Sequence, residues 1–259
     1  MELEGRVAII TGGAMGIGKA CVEKFLHAGA AVMIVDNNES AGKKTTDEFA
    51  GYSRIGFFPA DISRADEDRH VVEATTAQFG GVDILVNNAG IQTFGGPLDT
   101  TEETWDRTMN INLKGHWLMS KYTIPEMLKR GRGAIVNVSS VQGLASQRNV
   151  VAYATSKHAM IGLTRSMAVD LATSGIRVNC VCPGTVDTPM IRSIVNLDKD
   201  PAHLMQILNK MHPIGRMGNP CEIAEVVAFL ASDRASFMTG SIVTVDGGLL
   251  VPIAGSPSQ

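Results

Sequence analysis

The sequence predicts an α/β protein in which helices cover both faces of a doubly wound parallel sheet of about seven strands, giving three layers. Three observations carry this. The chain opens with a strand, a glycine turn, a helix and a second strand. Short apolar runs then recur at helix-length intervals. Those runs are continuously apolar rather than alternating, as expected when a sheet is buried on both faces.

The first element, Arg6 to Thr11, is a short β-branched run followed by glycines, and an apolar-periodic helix is predicted from about Gly16 to His27. Gly29 suits the end of that helix, and a second strand over Ala31–Val35 stops at Asp36. Further strands are predicted near residues 55–59, 83–87, 133–138, 176–182 and 241–245. No shift in composition marks a second domain, so residues 1–250 read as one domain and 251–259 as a small, polar, ragged tail. The least regular interior stretch, about 186–216, holds Pro189, Pro201 and Pro213 around one short helix and is expected to be a substrate loop.

Composition excludes several classes. Among 259 residues, 44% are apolar and 19% charged, enough apolar material for a core and too little charge for a disordered chain. The net charge of −3 comes from mixed acids and bases. The densest charged run, Arg64–Arg69, reads as a solvated helix start. Lys129–Arg132 sits where a helix ends, which suits the dipole better than a phosphate-binding patch, so no nucleic acid partner is expected. No stretch reaches the roughly 18 apolar residues of a membrane span. The opening residues show no signal-peptide pattern, and a cytoplasmic location without membrane partners is expected. Cys21, Cys180, Cys182 and Cys221 form no CxxC pair, and no cluster has metal-ligand spacing, so reduced packed thiols and no metal are predicted.

The glycines of Thr11-Gly12-Gly13-Ala14-Met15-Gly16-Ile17-Gly18 suit a dinucleotide site. Gly12 can make the tight turn, Gly16 can let backbone N–H groups approach a pyrophosphate, and Gly18 can let helix and strand close up. The run imitates a P-loop, but Ala20 follows Lys19 where a magnesium-binding hydroxyl is needed, which disfavours an NTPase. Asp36 ends the second strand 18 residues beyond Gly18, where a carboxylate can accept hydrogen bonds from a ribose diol and repel a 2′-phosphate. NAD(H) is therefore expected over NADP(H), with Lys19 and Lys43 as the available compensating cations.

Further along stand Asn87-Asn88-Ala89-Gly90, Asn112, Val138-Ser139-Ser140, Tyr153-Ala-Thr-Ser-Lys157, Pro183-Gly184 with Thr188, and Asp246-Gly247-Gly248. In that order, with the glycine turn, they resemble the short-chain dehydrogenase/reductase family over nearly the whole chain. The resemblance implies a single-domain Rossmann fold and hydride transfer between the cofactor and a secondary alcohol or ketone. Tyr153 and Lys157, four apart, share a helix face, and an ammonium beside a phenol with an ordinary pKa of about 10 favours the phenolate. By resemblance, Tyr153 is the acid/base, Lys157 also holds the nicotinamide ribose, and Ser140, 13 residues before Tyr153, orients the substrate oxygen. Asn112 is then the residue whose polar group and backbone hold a relay water. The resemblance also puts Met15 and Ile17 in the glycine turn at the cofactor, Asp61 and Ile62 beside adenine, Asn88, Ala89 and Gly90 along the cofactor trough, Val186 and Thr188 at the carboxamide, and Pro183 and Gly184 among the other cofactor contacts. An alternative is a catalytically idle NAD-binding sensor or scaffold, which the intact Ser-Tyr-Lys-Asn set argues against.

Substrate contacts are expected beyond the strand ends, from Gln92, Phe94, Ser140, Gln142, Gln147, Arg148 and Met190. The glutamines suit hydroxyls and Arg148 a carboxylate, which favours a sugar, polyol, sugar acid or hydroxy acid. Phe94 and Met190 leave cyclic alcohols and steroids open. The family resemblance implies a homotetramer.

Overall fold

The computed structural model describes residues 2–252. The part of the expected tail from residue 253 onward lies outside the described residues. The strands are β1 (Val7–Thr11), β2 (Ala31–Asp36), β3 (Ile55–Pro59), β4 (Ile84–Asn87), β5 (Gly133–Val138), β6 (Ile176–Pro183) and β7 (Ile242–Val245). They form one seven-stranded sheet in the order β3-β2-β1-β4-β5-β6-β7, and every neighbouring pair is parallel. The chain winds outward from β1 to β3 and then restarts at β4 on the other side of β1. That reversal leaves a crevice at the carboxyl ends of β1 and β4.

The helices are α1 (Gly16–His27), α2 (Glu39–Glu48), α3 (Ala65–Phe79), α4 (Glu102–Met109), α5 (His116–Arg130), α6 (Val151–Leu171), α7 (Pro189–Asn196), α8 (Pro201–Lys210) and α9 (Pro220–Ala231). Strand periodicity divides the core in two. Ala8, Ile10, Ile34 and Val136 face α1 and α9, where Val22, Phe25 and Val227 pack; Ile9, Met33, Leu85 and Ile135 face α3, α5 and α6. Both sets are fully or nearly fully buried, which explains why the strands read as continuously apolar. The segment expected to contain one short helix contains two, α7 and α8, because Pro189 and Pro201 each occupy a first helical turn behind a capping side chain, Thr188 or Asp200.

Two charged features depart from the sequence reading. Arg130 and Arg132 do more than end a helix: their Nε atoms donate to Oδ1 of buried Asp83, at 2.9 and 3.1 Å, while the Val7 N–H donates to Oδ2 at 2.9 Å. One carboxylate, just ahead of β4, thus ties the start of β1 to the end of α5 and the start of β5. The run Arg64–Arg69 is only partly solvated. Arg64 pairs with Asp66 and Glu67 outside, but Asp68 is fully buried and neither of its oxygens has a partner among the described residues.

Burial first, and then the carboxylates of Asp61, Glu67 and Asp66, push the Asp68 carboxyl up to about 8. The folded chain holds this proton more tightly than the unfolded chain, whose value is about 4, so stability falls as pH rises from 4 to 8. Asp68→Asn keeps the shape and removes the ionisation. Its melting temperature should exceed that of the parent by at least about 2 °C at pH 9, roughly 1 kcal/mol in a chain of this size, with the gap closing toward pH 5. Parallel melting curves across pH would remove Asp68 from the stability balance.

Candidate active site

A cleft of about 630 Å³ opens over the crevice. Its lining comes from the carboxyl ends of the strands: Gly12 after β1, Asp36 ending β2, Asn88–Gly90 after β4, Ser139 and Ser140 after β5, and Pro183–Val186 at the end of β6.

The two strand ends that border the crevice are clasped. The Thr11 hydroxyl accepts from the backbone N–H groups of Asn88 and Ala89, at 3.0 and 3.1 Å, and the Asn88 amide donates to the carbonyls of Thr11 and Gly12, at 3.0 and 3.2 Å. Glycine is required here by contact as well as conformation. Gly12 has φ +62°, and a Cβ on Gly18 would lie 2.0 Å from the Gly12 carbonyl oxygen. Gly18 lies beneath the turn and does not line the cleft. At Met15, where α1 begins, no side chain caps the first N–H groups, so they are available to an anion. This cradle and the carboxylate of Asp36 beside it fit a dinucleotide. The Ala14 N–H donates to Asp36 Oδ2 and the Asn38 N–H to Oδ1, at 3.1 and 3.0 Å, so the side chain is fixed against the turn. Asp61 and Ile62 also line this end.

On the opposite wall stand Ser140, Tyr153 and Lys157. The two adjacent serines differ in their bonds: Ser139 donates to the Lys157 carbonyl at 2.8 Å, whereas Ser140 accepts the Gln142 N–H at 3.1 Å and bonds to the Tyr153 phenol. Lys157 Nζ donates to the Val138 carbonyl at 3.0 Å and lies 5.7 Å from the centre of the Tyr153 ring. Burial pushes the Lys157 ammonium down to about 8. It pushes the Tyr153 phenol up, and the hydrogen bond to Ser140 pulls it back. Lys157 Nζ is thus engaged by a main-chain carbonyl, and among the described residues no hydrogen bond joins it to the phenol.

Asn112 sits in a π-helical turn, Asn110–Gly115, that joins α4 to α5. It is buried behind the lining. Its Oδ1 accepts the Ile91 N–H at 2.9 Å, and its Nδ2 donates to the Ile91 carbonyl at 2.9 Å and to Ser156 Oγ at 3.2 Å. Both ends of the side chain are therefore engaged, and only the main chain is left for the expected relay water. Of the expected substrate contacts, Gln92, Phe94, Ser140, Gln142, Gln147 and Met190 line the cleft. Arg148 does not; it lies in an exposed turn outside the lining. Thr188 both lines the cleft and caps α7.

Residues 12–250 match the family described as Enoyl-(Acyl carrier protein) reductase. The chain is 38% identical to 3-oxoacyl-[acyl-carrier-protein] reductase of Thermotoga maritima, over 97% of this chain and all of the relative. It is 41% identical to 2,5-dichloro-2,5-cyclohexadiene-1,4-diol dehydrogenase of Sphingobium indicum, over 95% of this chain and 98% of the relative. The ligand-free structure of Thermoplasma acidophilum aldohexose dehydrogenase superposes with a TM-score of 0.90 at 36% identity, covering 99% of this chain and 98% of that one. The chain belongs to the short-chain dehydrogenase/reductase family. It is therefore an oxidoreductase that works with a nicotinamide cofactor.

In this short-chain dehydrogenase/reductase, two histidines support the cleft without a signature in the sequence. His116, buried and pushed down to about 3 mainly by burial, bonds through Nε2 to the Ala89 carbonyl at 2.6 Å. His212 accepts the Thr185 N–H on Nε2 at 3.1 Å and bonds through Nδ1 to the Leu208 carbonyl at 2.9 Å. Ile194, Leu204, Leu208 and Leu249 also line the cleft unannounced. By contrast, His158 bonds to the carbonyl one turn back in its own helix, and His203 is exposed.

The closeness of Gly18 to Gly12 gives a direct test. Gly18→Ala should weaken NADH binding at least about tenfold, or 1.4 kcal/mol, in a fluorescence titration. Unchanged affinity would show that the turn holds its shape without that contact.

Proposed function

We propose that the protein is an NAD(H)-dependent dehydrogenase/reductase that oxidises the CH–OH group of a small secondary alcohol, or reduces the matching ketone, with Tyr153 as acid/base. The observation that carries this is the convergence of Ser140, Tyr153 and Lys157 on the wall facing the glycine turn. The nicotinamide ring supplies the hydride acceptor or donor when the cofactor is bound. Gly12, Met15, Gly16 and Ile17 would hold the pyrophosphate, Asp36 the adenosine ribose, Asp61 and Ile62 the adenine, and Asn88–Gly90, Pro183, Gly184, Val186 and Thr188 the nicotinamide half.

Tyr153 takes the proton from the substrate hydroxyl during oxidation and returns it during reduction. Ser140 bonds to the same oxygen and stabilises its developing charge. Lys157 holds the nicotinamide ribose, and its ammonium, once turned toward that ribose, favours the ionised phenol. The Asn112 main chain carries the relay onward. The preference for NAD(H) is supported by the fate of the two cations that could have served a 2′-phosphate: Lys19 pairs with Glu48 and Lys43 with Glu39. Asp36 keeps its negative charge unopposed at the ribose position.

The relatives' names mention an aldohexose, a cyclic diol and a 3-oxoacyl carrier-protein substrate, and they support a small alcohol or ketone, with residues 186–216 as the substrate-covering segment of one domain. Cytoplasmic action as a homotetramer completes the proposal. Exposed Trp105, Trp117 and Val169 on α4, α5 and α6 supply apolar surface for assembly.

Tyr153→Phe should lower kcat for NADH formation by at least about 100-fold while leaving NADH binding intact. Retained turnover would overturn the acid/base assignment. Asp36→Ala should reduce the preference for NAD over NADP, read as a ratio of kcat/KM, by about tenfold or more. An unchanged ratio would remove Asp36 from cofactor selection.

A further inference from the structure

The half of the cleft beyond the nicotinamide position is roofed by two short helices. Met190 and Ile194 of α7, and Leu204 and Leu208 of α8, are each four residues apart and so share a helix face, and all four line the cleft. Polar contacts on the floor come from amides. Gln142 is nine-tenths buried; its Nε2 donates to Gln147 Oε1 at 3.0 Å, while its own Oε1 has no partner among the described residues.

The charge in this half is one-sided. Among the described residues, the charged side chains lining the whole cleft are Asp36, Asp61, Lys157 and Asp198. The two first-named lie at the adenosine end, and Lys157 is held by the Val138 carbonyl beside Tyr153. That leaves the carboxylate of Asp198, exposed in the turn between α7 and α8 with Oδ1 accepting the Asp200 N–H at 2.8 Å, as the substrate half's own charge. Arginines nearby in sequence are no counterweight: Arg192 spends Nε and one terminal nitrogen on Asp187, at 2.7 and 2.9 Å, and Arg148 stands outside.

A carboxylate or phosphate entering this space would exchange water for leucine and isoleucine, meet no free cation and face Asp198. The bare Gln142 Oε1 calls for a donor, which a hydroxyl supplies and a carboxylate, acceptor only, cannot. We infer that the cleft selects uncharged hydroxylated substrates with an apolar body and rejects carboxylated or phosphorylated ones. This rests on the oxidoreductase reading and narrows it, setting aside the sugar acids and hydroxy acids that Arg148 suggested.

The test pairs compounds that differ in charge at a fixed reacting carbon: ethyl 3-hydroxybutyrate with 3-hydroxybutyrate, methyl mandelate with mandelate, and glucose with glucuronate. Each is added to the NADH-saturated protein, where an alcohol binds without reacting, and the melting temperature is followed against concentration. At least one uncharged member should raise it with an apparent Kd at least tenfold below that of its anionic partner. Leu208→Arg should narrow or reverse that ratio while retaining the NADH shift, which reports that the variant is folded. Equal or tighter binding of the anions, a shift by neither class, or an unchanged ratio in Leu208→Arg overturns the inference and leaves the cofactor reading standing. Absence of any NADH shift in the parent protein would instead sink the proposed NAD(H)-dependent reading, and this inference with it.

Discussion

The site depends on how closely two strand ends are held where the sheet reverses direction. At the gap between β1 and β4, one hydroxyl and one amide, those of Thr11 and Asn88, make four hydrogen bonds to backbone atoms of the opposite turn. A clasp this tight leaves no room for side chains, so Gly12 must turn in the left-handed region and Gly18 must lie against it without a Cβ. The start of α1 then points its uncapped N–H groups into the cleft, and the turn after β4 faces Lys157 and Asn112. A Cβ on Gly90 would lie 3.3 Å from Asn112 Oδ1 and 3.7 Å from Lys157 Nζ.

The wall that carries Tyr153 and Lys157 shows two opposed effects of burial. Removing water favours the neutral phenol of Tyr153 and also the neutral amine of Lys157, so the same apolar surroundings work against both charged forms. The hydrogen bond to Ser140 eases the phenol back, while the Lys157 ammonium keeps the Val138 carbonyl as its acceptor. The wall thus holds a neutral phenol beside an ammonium that gives up its proton more readily than an exposed lysine does. A group that turns the ammonium toward the phenol shifts both equilibria together.

Much of this was legible because it is local or periodic. Seven short strands, the order of the glycine turn, and the Tyr153–Lys157 spacing are properties of neighbouring residues, and the structure has strands at each expected stretch with boundaries differing by about one residue. What stayed hidden involves partners far apart in sequence. Asp83 meets Arg130 and Arg132 only because β4 lies beside β5, and His116 reaches Ala89 only because α5 starts under the turn after β4. Asp68 sits in a run of charges that looks wholly solvated, yet a helix buries one residue of such a run whenever its face turns inward. Arg148 directly follows Gln147, yet only Gln147 lines the cleft, because adjacency in an irregular turn does not fix which way a side chain points. Of the two helices in the α7–α8 roof the sequence announces one, because prolines that punctuate a chain also begin helices.

The ring of His212 joins two parts of the cleft's rim that are far apart in the chain. Its two nitrogens face opposite ways, one accepting from Thr185 in the segment after β6 and the other bonding to the last turn of α8. The ring is also almost fully buried and packed beside Gly184 and Gly247. The α8 roof of the cleft and the segment after β6 therefore share a rivet. Neither can swing far without straining the other, so these two stretches of the rim keep one spacing.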